Sequence, residues 1–227
     1  MKKFAWSWSR LKNYRVCPKK HYHVDLAKEF PEPDNEVLIW GNQVHKAMSE
    51  YIDKGVKLPP MMEHYDPWPN MLVSAREAGW TVKTELKLAM SESHKPTSFF
   101  DNATWFRGVC DALAIAPTKN AALSIDWKTG QIKPDAEQLA LNAALIFSHY
   151  PEVNLVDTVY VWLGNDDQTR VRYGRMDMLP MWSGLMPEIR QLEEAHRTTT
   201  YPPKPSGICI RHCPVTSCPH FGKGSPR

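Results

Sequence analysis

Asp126 and Lys128 flank Trp127 in the stretch Ile125-Asp126-Trp127-Lys128-Thr129-Gly130, and Asp111 stands upstream in Gly108-Val109-Cys110-Asp111. Alternate side chains of a β-strand share a face, so the acid and the lysine point the same way. Asp111, on the preceding strand, can join them at one metal-binding spot. Mg²⁺ prefers oxygen ligands and keeps several waters, so Asp111 and Asp126 plus a substrate phosphate suffice to hold it, with the Trp127 backbone carbonyl as a further ligand. The chemistry this set supports is cleavage of a phosphodiester, which needs an activated water and neutralisation of the charge building on phosphorus. Lys128 supplies what the ion does not: it would orient or help deprotonate the water and stabilise the developing negative charge.

An acid and a lysine two apart are common, and a surface strand with a solvated ion pair carries the same letters. The flanking residues separate the two cases. Asp126 ends the apolar run Ala121-Ala122-Leu123-Ser124-Ile125, and Asp111 lies inside Val109-Cys110-Asp111-Ala112-Leu113. A lone charge in such a setting is costly and wants a partner. Gln138, on the helical stretch that follows, can face the same cleft and offer its amide to a backbone phosphate or a metal-bound water.

Periodicity places these residues on definite elements. Strand character runs over residues 81–90, 104–116, 121–128, 155–164 and 169–173. Residues 9–30 carry Leu11, Tyr14, Cys17 and His21 at helical spacing before Pro31-Glu32-Pro33 ends the helix. Residues 36–54 place Val44, Ala47, Met48, Tyr51 and Ile52 on one helical face, with His45 on its border and able to look toward a cleft. Pro59, Pro60, Pro67 and Pro69 predict a surface loop over 55–70, followed by a short helix over 71–79. A helix over 134–150 opens with Pro134, Asp135 and Glu137, suited to the first turn and to the dipole, and the last helix covers 176–196. This order predicts an α/β fold, a central mixed sheet flanked by helices. The tail after Thr200 is rich in Pro, Gly and Cys without periodicity, so something other than its own core must order it.

The chain of 227 residues has the apolar and charged fractions of an ordinary globular protein, and its net charge of +3 is compatible with nucleic-acid binding. No apolar run approaches the ~18 residues that span a bilayer, and the amino terminus lacks the apolar core of a signal peptide. The expectation is a protein that works inside a cell, without a membrane partner. In that reducing setting the cysteines Cys209, Cys213 and Cys218 read as metal ligands rather than disulfides. They supply three soft ligands, and Cys17 is the candidate for the fourth.

Gly41-Asn42-Gln43-Val44-His45, Gly108-Val109-Cys110-Asp111, Asp126-Trp127-Lys128-Thr129-Gly130 and Gln138-Leu139, in that order, resemble the successive motifs of RecB-like nucleases in the PD-(D/E)XK superfamily. Ser7-Trp8-Ser9-Arg10-Leu11, with Tyr14 and Cys17-Pro18-Lys19-Lys20, resembles the first helix of that group. The likeness covers most of the chain, as a single domain over residues 1–227 with its cysteine-rich tail, 201–227, packed on the N-terminal helix. It implies a restriction-endonuclease-like core in which His45, Asp111 and Asp126 hold two Mg²⁺ or Mn²⁺ ions. It also implies that Lys128 is the catalytic lysine and that Gln138 helps position the site. Where that group usually has a tyrosine, four residues after the glutamine, this sequence has Asn142.

In the iron-sulfur members of the RecB-like group, among them CRISPR-adaptation nucleases and one subunit of AddAB-type helicase-nucleases, one cysteine in the first helix and three near the carboxy terminus hold a [4Fe-4S] cluster. The resemblance implies the same role for Cys17, Cys209, Cys213 and Cys218, a cysteine-bound metal joining the chain ends. Their usual spacing is C-x2-C-x5-C, whereas here the middle cysteine is displaced by one and His212 stands in its place. A zinc site drawing on His212 or His220 therefore stays open. Cys110 reads as a plain buried thiol.

Arg10, Arg15, Lys19, Lys20 and Arg107, interleaved with Trp6, Trp8, Tyr14 and Tyr22, would make a basic and aromatic surface that tracks DNA phosphates and stacks bases. Helix-surface charges and core aromatics would give the same composition. The group lacks base-reading elements, so the resemblance implies a DNA exonuclease without sequence specificity, acting near ends or in single strands. Recombination or repair proteins would be its partners, and a viral origin fits equally. A non-catalytic nucleic-acid-binding or adaptor protein with a structural metal is the alternative, and the survival of every acidic and lysine position argues against it. A zinc hydrolase built on the cysteine tail is disfavoured because a closed thiolate site leaves no open position.

Overall fold

The computed structural model describes residues 4–30, 36–133 and 136–223. In chain order its principal elements are α1 (Trp8–Val16), α2 (Pro18–His21), α3 (Glu36–Lys54), α4 (Pro67–Glu77), β1 (Thr81–Met90), β2 (Pro96–Thr97), β3 (Phe106–Ile115), β4 (Ala121–Lys128), α5 (Glu137–His149), β5 (Leu155–Trp162), β6 (Asp167–Gly174), α6 (Met178–Thr198) and α7 (Ile208–Arg211). The described chain clusters into two compact units, residues 35–182 and residues 1–34 with 183–227. No helix among the described residues is long and apolar enough to cross a membrane.

The larger unit is a six-stranded mixed sheet in the order β2-β1-β3-β4-β5-β6, with β4 and β5 parallel and the other neighbours antiparallel. A parallel pair needs a crossover, and α5 supplies it. Two faces follow from strand alternation. Ile125, Trp127, Val159 and Val161 pack with Val44, Met48 and Ile52 of α3 and Leu72 of α4. On the opposite face Tyr160 and Trp162 pack with Leu139 of α5. The α3 stripe Val44, Met48 and Ile52 repeats every fourth residue, which is why this helix lies flat on the sheet.

Some expectations need correction. Residues 60–70 are not loop: Pro60–Tyr65 forms a 3-10 turn and α4 starts at Pro67. Proline is tolerated in a helix's first turn because those backbone N–H groups have no intrahelical acceptor. The helix expected from Pro134 is described only from Glu137, and Pro134 and Asp135 lie outside the described residues. β2 and α7, two and four residues long, are too short to carry a periodic signal.

The sheet comes apart where the chemistry is expected. β3 pairs with β4 only as far as Ala112↔Ile125, whereas β4 stays paired with β5 through Lys128↔Trp162. β1 and β3 pair at Thr84↔Ala112 and at Leu86↔Cys110, skipping Glu85 and Asp111 between them. Glu85 has φ 47, a left-handed conformation that interrupts the ladder. Residues four apart on a regular strand share a face. Ala112 nevertheless packs on the α3 side, while a Cβ placed on Gly108 would meet Leu145 of α5 at 2.9 Å. The facing of β3 changes between them, at Asp111.

In the smaller unit the helix expected over 9–30 is broken at Cys17, whose φ of −165° and ψ of 115° are extended. Pro18 then starts α2, which runs on into a π-helical turn, Tyr22–Leu26. The residue before a proline is pushed out of the helical region, and that accounts for the break. Arg15 pairs with Glu188 of α6, and the Tyr14 hydroxyl donates to the Gln191 carbonyl at 3.2 Å. The tail meets the first helix through Lys204, whose ammonium donates to the Arg15 carbonyl at 2.9 Å.

Candidate active site

The fork between β3 and β4 is closed by side chains instead of a backbone ladder. Asp111 Oδ2 accepts the Trp127 N–H at 2.8 Å, the bond a strand carbonyl would otherwise make. His45 of α3 places Nε2 2.9 Å from the Trp127 carbonyl oxygen and Nδ1 3.3 Å from Asp111 Oδ2. The ring thereby bridges the Trp127 carbonyl and the Asp111 carboxylate. Glu85, opposite Asp111 on β1, completes the cluster: among the described residues, His45, Glu85 and Asp111 are the trio whose ligand atoms lie within 4.8 Å of one another.

The electrostatics are those of crowded acids. Burial and the charge of Asp111 both push the Glu85 carboxyl up. Burial lowers the His45 imidazole, but its hydrogen bond to Asp111 and the charges of Asp111, Asp126 and Glu85 prevail and raise it. An imidazole nitrogen with carboxylate oxygens is a donor set for Mg²⁺ or Mn²⁺, the nitrogen favouring the latter. Glu85 is a residue that sequence reasoning missed. Its signal lies in strand register, which a lone sequence does not print: it is the residue of β1 that faces Asp111.

Asp126 and Lys128 share the α5 side of β4, as their spacing predicts, while Trp127 between them is 2% exposed in the opposite core. Lys128 Nζ lies 2.7 Å from Asp126 Oδ1, Gln138 Nε2 donates to Asp126 Oδ2 at 2.6 Å, and Lys128 Nζ donates to Gln138 Oε1 at 3.1 Å. The three side chains form a closed triangle. Burial, then the charge of Asp111, raises Asp126 to about 6 against the pull of Lys128. Both Asp126 oxygens are thus engaged toward α5, and Asp126 stands outside the His45, Glu85, Asp111 trio. Tyr160 of β5 also enters this corner, its ring 4.7 Å from Lys128 Nζ and its hydroxyl 3.5 Å from Gln138 Oε1.

A family model for the PD-(D/E)XK nuclease superfamily matches residues 5–219. The chain belongs to the PD-(D/E)XK nuclease superfamily. Among solved structures, the crystal structure of SSO0001 is similar over 97% of this chain and 88% of that one, with 16% identity and a TM-score of 0.43. The comparison with curated proteins gave no match. PD-(D/E)XK nucleases use divalent metals, and the His45, Glu85, Asp111 cluster is a place where this member can hold one.

The remaining candidate residues of this PD-(D/E)XK chain fall into separate settings. Asn142 is 4% exposed, and its Nδ2 is buried without a hydrogen bond. Cys110 is fully buried and its thiol is pushed up to about 12 by burial. Arg10 donates to the Ala5 carbonyl at 2.9 Å within the smaller unit. Arg107 lies on β3 against Phe99 and Phe100. Lys19 and Lys20 line a pocket of the smaller unit together with Cys17, Cys209, Cys213 and Cys218.

In that pocket the Lys204 N–H donates to Cys17 Sγ at 3.3 Å and the Ser206 N–H to Cys209 Sγ at 3.5 Å. Burial raises the Cys213 thiol against a backbone hydrogen bond from Val215, with the neighbouring Cys209 and Cys17 adding to the rise and Lys20 opposing it. His220 also lines the pocket. Among the described residues no three of these sulfurs lie within 4.8 Å of one another.

Proposed function

We propose that this PD-(D/E)XK protein is a RecB-like DNA exonuclease that cuts near ends or in single strands without sequence specificity, using two Mg²⁺ or Mn²⁺ ions. The observation that carries the reading is the meeting of two sets where β3 and β4 part: His45, Glu85 and Asp111 as ligand atoms, and the Asp126, Lys128, Gln138 triangle. His45, Glu85, Asp111 and Asp126 would hold the ions, with the Trp127 carbonyl beside His45 as a further ligand. An ion bound there would supply hydroxide from water and offset charge on the phosphate. Lys128, held by Gln138 and Tyr160, orients that water and stabilises the charge that develops.

The test is end-labelled DNA incubated with the protein, with and without Mg²⁺ or Mn²⁺. Mononucleotides or short products should appear only with metal. Asp126→Ala and Lys128→Ala should each abolish cleavage while the protein stays folded, and full activity in either variant would sink the reading.

Cys17, Cys209, Cys213 and Cys218 would hold a [4Fe-4S] cluster in this reading. The backbone N–H donors to Cys17 and Cys209, and the lysines lining the pocket, suit a negatively charged cluster. Anaerobically purified protein should be brown and contain iron, and Cys17→Ala should lose both. Zinc in place of iron would return the site to the zinc alternative.

A further inference from the structure

We infer that Phe99, Phe100, Lys87 and Arg107 form a base-stacking platform for single-stranded nucleic acid, on the side of the sheet where α3 and His45 lie. This deepens the nuclease reading and rests on it only for what happens after binding. Phe100 is 78% exposed, an unusual setting for a large aromatic side chain. It is nonetheless held in place. The Arg107 guanidinium lies 5.1 Å from the Phe99 ring centre and 5.4 Å from that of Phe100, and its Nη1 donates to the Phe99 carbonyl at 3.3 Å. The two rings meet edge to face at 5.1 Å, and Lys87 Nζ stands 5.9 Å from the Phe99 ring centre.

Position on the sheet says what such a platform would serve. Gly108 abuts α5, so Arg107 and Val109 on either side of it point to the opposite face, the side of α3 and His45. Lys87 pairs with Val109 and Ala89 with Arg107, so Lys87 lies on that face between the platform and Glu85. Arg107 is four residues from Asp111 along β3, about 13 Å at ~3.3 Å per residue. That is roughly four stacked nucleotides at ~3.4 Å of rise. An exposed ring, braced by a half-buried one and flanked by cations, matches a strand that offers π-faces and phosphates together, which is the chemistry of single-stranded nucleic acid. A duplex keeps its base faces stacked on one another and has none to give.

The test is binding of a fluorescein-labelled oligothymidylate in EDTA, read by anisotropy, so that cleavage plays no part. The wild-type protein should bind, Phe100→Ala should bind about tenfold more weakly, and Phe100→Trp should recover most of the loss. A base-free deoxyribose-phosphate polymer should compete poorly against the wild type and about as well as oligothymidylate against Phe100→Ala. Phe100 is exposed, so these variants will fold. Unchanged affinity in Phe100→Ala, or a wild type that does not bind the oligonucleotide, overturns the platform. A wild type that binds but never cleaves in Mg²⁺ or Mn²⁺ overturns the nuclease reading instead and leaves the platform standing.

Discussion

Tyr160 lies against Lys128, the ring centre 4.7 Å from the ammonium, with the tyrosine hydroxyl 3.5 Å from the Gln138 oxygen that the same ammonium contacts. An aromatic face attracts a cation by up to about 2 kcal/mol when both are shielded from water, and here the ring also limits where the lysine can swing. Asp126 and Tyr160 are direct partners on the parallel pair, so β5 delivers this contact by register alone. Tyr160 thus supplies the aromatic contact to Lys128. Tyr160→Phe keeps the ring and should leave kcat within about threefold of the wild type. Tyr160→Leu should lower kcat about tenfold with KM little changed, as steady-state kinetics on an end-labelled substrate would show.

Glu85→Gln separates metal binding from stability. Glu85 faces Asp111 across β1 and β3, and like charges placed opposite each other destabilise by a few tenths of a kcal/mol. Removing the charge should therefore raise the midpoint of urea unfolding slightly in EDTA. The same change should weaken Mn²⁺ binding at least about tenfold in calorimetry, because a carboxylate ligand is gone. If affinity held while stability rose, Glu85 would be a bystander.

A pH dependence follows from the acids. Asp126 titrates near 6 in the folded chain, against 3.8 for an ordinary aspartate, because burial and then Asp111 oppose its ionisation. Between these values the folded state binds more protons than the unfolded state, so stability falls as pH rises through about 4 to 6. An ion held by Asp126, as proposed, would reverse the balance, since it needs the deprotonated carboxylate. Thermal unfolding in EDTA should show the decline with pH, and Mn²⁺ should shift the midpoint upward more at pH 7 than at pH 5. Calorimetry in buffers of different ionisation enthalpy should detect protons released on metal binding near pH 5.5.

Gly108→Ala tests the close approach of α5 to β3. A Cβ there would stand 2.9 Å from Leu145 Cδ1, inside normal contact, and Leu145 is fully buried. Overpacking of this kind costs about 1–3 kcal/mol. Urea unfolding should show that loss, and pairing the substitution with Leu145→Ala should recover part of it relative to the sum of the single changes.

How much was legible in the sequence depended on whether the information was local. Asp126 and Lys128 share a face because strands repeat every two residues, and β4, β1 and α3 have the bounds that periodicity predicts. Gln138 was legible as the first turn of the following helix. Glu85 and Tyr160 were not, because their roles come from neighbouring strands, and register between strands is set by the whole sheet. The break at Cys17 was a local effect of Pro18 that helical spacing masked, since Leu11, Tyr14 and His21 keep a helical rhythm across it. The reversal of facing at Asp111 follows from no periodicity.

The parallel pairing of β4 with β5 also governs when the chain becomes competent. Asp126 and Lys128 lie on one strand, Gln138 on the crossover helix and Tyr160 on the returning strand, so the corner that holds the lysine is incomplete until that crossover has closed. Parallel pairs close long loops and form late compared with local hairpins. A partly folded chain would display its early hairpin of β1 and β3, with Glu85 and Asp111 already opposed, while its lysine was still unplaced. The corner that positions Lys128 therefore forms no earlier than the pairing of β4 with β5.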